Sequence, residues 1–308
     1  MKRKNRSLEA FLAAALLASL MLFSVSCTRT ETTDARLRAV ATIFPVYDMA
    51  RAVGGEDVTV DLLVPPGTEA HTFEPTPSDI VRLEEADVFI YNGANMEPWV
   101  GGILAGIKNP NLLVVDTSTG ITLLTGKGDK NKGVDPHVWL DFDNAKKQVD
   151  AITAAFIKKD GAHEAAYRTR ADEYNNRLDE LDKLYRKALA DCETRVIVSS
   201  GHLAFGYLAA RYNLAVVSAF GLSPDAEPTP SRIVELIDLV KKEKVRYLFA
   251  EEMVDPRLTE TIREETGAEI LYVSSGHDLP KERFNRGVTL PDLMKENLEK
   301  FKRGLSCR

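Results

Sequence analysis

The chain is 308 residues long, carries a formal net charge of −6, and contains only three cysteines and five histidines. This length excludes a single small domain: about 270 residues follow the leader, enough for two lobes that each bury a core. The acidic balance sets nucleic acid aside as a partner and, being mild, otherwise reads as simple solubility.

Lys2, Arg3, Lys4 and Arg6 precede an apolar run from Leu8 to Val25 that stops at Ser26-Cys27. A basic start, an apolar stretch and small residues before a cysteine make residues 1–26 an export signal, with Cys27 lipidated after cleavage. Ser24 stands three places before the cysteine, where lipoprotein signals usually carry Leu. A retained membrane anchor and a plain secretory signal are the alternatives. The leader holds four basic residues and Glu9, a net +3, so the mature chain would stand at about −9. Residues 27–38 are polar without an apolar period and read as a lipid-anchored tether. With Cys27 modified, an exported location permits a disulfide between Cys192 and Cys307, although spacing alone does not bring them together.

From Ala39 onward, short β-rich runs alternate with helical patterns: AVATIF at 39–44, VTVDLLV at 58–64, DVFIYNG at 87–93 and LLVVD at 112–116. That alternation predicts an α/β lobe with a four-stranded, mainly parallel sheet over residues 39–160. The rhythm resumes with RVIVSS, LAVVSAF, RYLFAEE and AEILYV, which predicts a second four-stranded lobe over residues 193–308. Between them, Tyr167, Ala171, Tyr174, Leu178, Leu181, Tyr185 and Ala188 recur at steps of four and three, the stripe of one amphipathic helix within residues 161–192. A helix of about 25 residues spans close to 40 Å, so it joins the lobes as a stiff rod and makes large hinge closure unexpected.

Three histidines sit where a strand or turn has just ended, which is where open α/β sheets place ligand-binding groups. His71 follows Pro65-Pro66-Gly67, ahead of a helix expected to open at Ile80 under a Ser78 or Asp79 cap. His137 lies between the Asp135-Pro136 turn and Trp139, with Asp141 or Asp143 opening the next helix. A carboxylate this close suits a metal-bound imidazole, whose tautomer it fixes. His202 follows Ser199-Ser200-Gly201 and is expected in the first turn of a helix. His277 follows the last strand and faces the same end of its sheet, whereas His163 lies among charged residues in a solvated setting. Imidazole nitrogen favours Zn(II) over Mn(II), which prefers oxygen-rich shells. The donors are spread over both lobes and form no HExxH pair, which points to capture rather than catalysis.

The segments HTFEPTPSD, DPHVWLD, GHLAFGYLAARYNL and LMKENLEKFKRGL occur in this order, and with them the mature chain resembles the metal-binding lipoproteins of bacterial ABC importers, the cluster A-I or zinc and manganese solute-binding family. The resemblance implies two lobes of four-stranded βα units joined by the long helix. It implies a metal held between them, delivery to a membrane permease driven by a cytoplasmic ATPase, and no enzymatic activity. It carries the first three ligands to His71, His137 and His202, and a histidine at the third place is the zinc form. The chain is expected as a monomer on the outer face of the cytoplasmic membrane or in the periplasm, with adhesion left open as a further role.

The fourth ligand departs from the family pattern. Relatives commonly carry a carboxylate shortly before the LMKENL stretch, where this chain has Val288 and Thr289, and Asp292 is out of register. His277, Asp278, Glu251, Glu252 or a water then completes the shell, with His277 preferred because a tetrahedral four-nitrogen site suits Zn(II). The segment TLLTGKGDKNKGVD before His137 is Lys-rich and free of histidine, unlike the His-rich loop of many zinc-uptake members. A zinc hydrolase using Glu74 or Glu252 as general base is the alternative of a different class. A haem, siderophore or corrinoid binder would leave the three histidines without a purpose.

Overall fold

The computed structural model describes residues 36–125, 133–221, 228–253 and 256–308. The export signal, Cys27 and most of the tether lie outside the described residues, as does the middle of the Lys-rich segment before His137. Among the described residues no helix is long and apolar enough to cross a membrane.

The first lobe runs Leu37–Ala41 (β1), Phe44–Gly54 (α1), Val58–Leu62 (β2), Pro77–Glu84 (α2), Val88–Tyr91 (β3), Val100–Leu104 (α3) and Leu113–Asp116 (β4). Phe142–Lys159 (α4) leads into the long helix Glu164–Ala188 (α5). The second lobe runs Val196–Ser199 (β5), Gly206–Arg211 (α6), Ala215–Ser218 (β6), Pro230–Lys242 (α7), Tyr247–Glu251 (β7), Pro256–Thr266 (α8) and Glu269–Val273 (β8), and closes with Lys281–Asn285 (α9) and Leu290–Gly304 (α10). Both sheets are parallel and share one topology, β2-β1-β3-β4 and β6-β5-β7-β8, as the two predicted lobes require. Each sheet therefore has a topological switch point, between β1 and β3 and between β5 and β7, with a crevice at the strands' carboxyl ends.

Several boundaries differ from the expected ones for local reasons. The run AVATIF leaves the sheet after Ala41, because Pro45 in the first turn presets Phe44 onward for α1. Helix α2 opens at Pro77 rather than Ile80: Thr76 caps it, and Asp79 closes a capping box by accepting the Thr76 N–H at 2.7 Å. Asp141 caps α4, accepting the N–H groups of Asp143 at 2.8 Å and Asn144 at 3.2 Å. His202 is not in a helix; α6 begins only at Gly206, and residues 200–205 form a loop tied to its neighbours by Ser200 N–H to Phe249 O at 2.9 Å and Leu203 N–H to Gly221 O at 2.7 Å.

The long helix has 25 residues, and Tyr167, Ala171, Tyr174, Leu178, Leu181 and Tyr185 are its buried stripe. One continuous apolar core runs from Ala39 in β1 through Tyr185 to Phe301 in α10, so the lobes share a core rather than meet at a wet seam. Polar clamps reinforce it. Asp48 of α1 accepts both the Tyr174 hydroxyl at 2.8 Å and the Leu290 N–H at 3.0 Å, and Tyr185 donates to Met294 O at 2.6 Å. Arg211 reaches from the second lobe to Asp141 at 2.9 Å and Asp182 at 2.7 Å. Opening the crevice by a hinge would break those that cross directly between the lobes, Leu290 to Asp48 and Arg211 to Asp141.

Cys192 and Cys307 are joined by a disulfide across a sequence separation of 115 residues, fixing the end of the long helix to the end of α10. Closing so long a loop restricts the unfolded chain, so replacing both cysteines by serine is expected to lower stability by about 2–5 kcal/mol. Chemical denaturation of the oxidised protein beside the variant measures the difference.

Candidate metal centre

Four loops carry imidazoles to the crevice, each at the carboxyl end of a strand. His71 follows β2 on a turn made tight by Gly67 at φ +83° and by Thr68 N–H to Pro65 O at 3.1 Å, with Trp99 Nε1 donating to Ala70 O at 3.0 Å. His137 opens a short 3-10 turn, and Asn92 Nδ2 holds the preceding Pro136 carbonyl at 2.9 Å. His202 follows β5. His277 follows β8, on a loop that Trp139 of the first lobe fastens by donating Nε1 to Ser275 O at 2.8 Å.

The sequence-predicted set comes together. Ring centroids of His71, His137, His202 and His277 lie 5.0–6.1 Å apart in all six pairings. Donor atoms of His71, His137 and His202 all lie within 4.8 Å of one another. His137, His202 and His277 are buried, and His71 is partly so. His163 is elsewhere, beside Asp160 at 2.6 Å with 45% of its side chain exposed.

Carboxylates sit behind two of the rings. His137 Nδ1 lies 2.8 Å from Asp135 Oδ1, and His202 Nδ1 lies 2.7 Å from Glu251 Oε1, whose other oxygen accepts the Ser275 hydroxyl at 2.9 Å. The Asp135 hydrogen bond fixes a proton on His137 Nδ1 and turns that ring's Nε2 forward, while Glu251 stands as a close charge partner at His202 Nδ1. The two forward atoms, His137 Nε2 and His202 Nε2, are 3.1 Å apart. At that distance either a proton on one of the two Nε2 atoms or a metal ion between them holds the rings together. Zn–N bonds of about 2.0–2.1 Å at the tetrahedral angle put neighbouring nitrogens roughly 3.3 Å apart, close to what is seen.

Titration follows from this burial. Desolvation, with the neighbouring imidazoles, lowers His71 to about 3 and His137 well below its ordinary value, so both offer neutral nitrogen. Burial raises Asp135 to about 7. Burial also opposes ionisation of Glu251, but His202, His277 and the Ser275 hydroxyl outweigh it and hold that carboxyl below its ordinary value. For His277, burial works against the charged form, yet Asp278, Glu69 and Glu251 prevail and push the imidazole up to about 9.

The other candidates for the fourth place are occupied or turned away. Glu251 backs His202 rather than joining the ring of donors, and Glu252 pairs with Arg283 at 3.1 Å. Asp292 closes the capping box of α10 by accepting the Thr289 N–H at 3.0 Å, and Val288 packs against the core. Asp278 is buried and belongs to neither of the two donor groups found among the described residues. The second of those groups, Glu69 with His71 and His277, contains a residue that sequence reasoning missed. Its signal was a carboxylate two residues before His71 on a Gly-turned loop.

Two parallel α/β lobes with a shared core, and a set of imidazoles drawn from four loops into the crevice between them, define a metal-binding protein of the solute-binding class. The chain belongs to the family described as zinc-uptake complex component A, periplasmic, which matches residues 39–304. It is 34% identical over 281 residues to the high-affinity zinc uptake system protein ZnuA of Bacillus subtilis, covering 88% of each chain. The zinc-binding lipoprotein AdcA of Streptococcus pneumoniae is 33% identical over 299 residues, 93% of this chain but 60% of that longer protein. The crystal structure of the Zn(II)-bound ZnuA-like domain of AdcA superimposes with a TM-score of 0.77 at 32% identity, covering 88% of this chain and 99% of that one. The family is one of solute-binding proteins for zinc uptake, not of enzymes.

Proposed function

We propose that this chain is the extracytoplasmic binding protein of an ABC importer, capturing Zn(II) between its lobes for delivery to a membrane permease and its ATPase. Residues His71, His137, His202 and His277 form the ligand set, Cys27 carries a lipid anchor, and the protein works as a monomer at the outer face of the membrane. The facing Nε2 atoms of His137 and His202, each backed by a carboxylate, carry this reading. An all-nitrogen shell favours Zn(II), with Mn(II) the weaker alternative because it prefers oxygen. Metal-stripped mature protein is expected to rebind about one Zn(II) per chain, followed by elemental analysis and by competition with Mn(II). Preference for Mn(II), or no binding, would overturn the assignment.

The His277 shift gives a signed pH dependence. A metal competes with protons only at groups that hold one in the metal-free protein, and below about 9 His277 holds one whereas His71 and His137 do not. Zinc affinity therefore rises with pH up to that value and falls as pH is lowered. At pH 7 the unaltered protein is expected to release about one proton more per zinc than His277→Ala, read by calorimetry in buffers of differing ionisation enthalpy. Equal release would take His277 out of the shell.

A further inference from the structure

The second donor group extends the proposed zinc site and rests on that reading. Donor atoms of Glu69, His71 and His277 lie within 4.8 Å of one another, as do those of His71, His137 and His202. His71 belongs to both groups, so one ion at a time fits the pair. The groups differ in their access to water. The Glu69 side chain is 30% exposed, against 1% or less for those of His137 and His202. Glu69 Oε1 lies 3.8 Å from His277 Nε2 and accepts the His71 N–H at 3.0 Å, so the carboxylate is held beside both imidazoles. Both His71 Nε2 and His277 Nε2 are buried without a hydrogen-bond partner, so once an ion displaces the His277 proton both nitrogens can face it.

We propose that Glu69, His71 and His277 form an outer cation station through which zinc passes on its way to and from the buried four-histidine site. One hard oxygen and two nitrogens leave room for water on the ion, so an incoming aquo-ion sheds only part of its shell there. Moving inward, the ion keeps His71 and His277 and exchanges the Glu69 oxygen and its waters for the nitrogens of His137 and His202. No proton or electron changes hands in that exchange, and the stepwise loss of water avoids stripping the ion at once. The shared core and the clamps across it oppose a swing of the lobes, which favours entry by such a route.

The test is kinetic. Glu69→Gln keeps the shape of the side chain and its acceptor for the His71 N–H while removing the charge. In stopped-flow mixing of metal-stripped mature protein with Zn(II), association is expected to slow by about tenfold or more, as loss of a guiding charge at a cleft predicts. Because Glu69 lies on the path and not in the final shell, dissociation into excess chelator slows by the same factor. An unchanged association rate would overturn the proposal, and so would faster dissociation at an unchanged association rate, which makes Glu69 an ordinary ligand of the final shell. A second arm uses His137→Ala/His202→Ala, in which the outer station is expected to retain weak zinc binding that Glu69→Gln then abolishes. No residual binding, or residual binding indifferent to Glu69→Gln, overturns the station. Stoichiometric binding by the unaltered protein upholds the buried site in either case, so the two readings fail separately.

Discussion

Replacing His202 by alanine lowers zinc affinity at least a thousandfold, about 4 kcal/mol, while His163→Ala leaves it unchanged. His202 is the donor whose Nε2 stands 3.1 Å from that of His137, closing the cation's place from the second lobe. Its loss leaves three nitrogens and a buried carboxylate, Glu251, with no imidazole in front of it. That unpaired group also destabilises the fold, so affinity and melting temperature are measured together. His202→Asn, which restores a polar group beside Glu251 without a forward nitrogen, separates the two effects: it recovers part of the stability and little of the affinity. Competition with a chelator of known affinity reads the result. A loss under tenfold in either variant removes His202 from the ligand set.

Much of this site is legible in the order of residues, because apolar runs that end in Pro, Gly or Ser locate the carboxyl ends of strands. His71 and His202 follow such runs, His137 follows the Asp135-Pro136 turn, and His277 follows the last strand. The stripe from Tyr167 to Tyr185 likewise foretells a helix whose buried face matches it position by position. Long-range geometry is what escapes. Glu69 becomes a donor only because the turn at Gly67 returns the loop against His277, a residue brought there by β8 and by the Trp139 clamp. Glu251 reads as a possible ligand from its place at the end of β7, yet its side chain lies at His202 Nδ1, on the far side of the ring from Nε2. His202 reads as the first turn of a helix because it follows a strand that ends at Ser199-Ser200-Gly201, but hydrogen bonds from Ser200 and Leu203 hold that stretch as a loop until Gly206.

A single methyl group at Gly201 or Gly206 is expected to weaken zinc binding by about 10- to 100-fold, although neither residue touches the ion. A Cβ at Gly201 would meet Glu251 Oε1 at 2.7 Å, and one at Gly206 would press still closer on Asp135 Oδ2. These are the carboxylates that orient His202 and His137, so each orienting group is seated against a glycine. Neither glycine has a positive φ, so alanine is acceptable to the backbone and the damage is confined to the displaced carboxylate. The Gly206 contact also crosses between the lobes, since Asp135 belongs to the first and α6 to the second. Tyr207, the next residue, donates its hydroxyl to Asp135 O at 3.2 Å and accepts the Leu124 N–H at 2.9 Å, holding the same loop from the same helix. Gly101 and Gly102, where an added methyl carbon would have nothing within 4 Å, supply the controls: alanine there leaves affinity unchanged. Chelator competition on Gly201→Ala, Gly206→Ala and Gly102→Ala tests the scheme. Equal affinities across the three would show that the carboxylates behind the rings do not set the strength of the site.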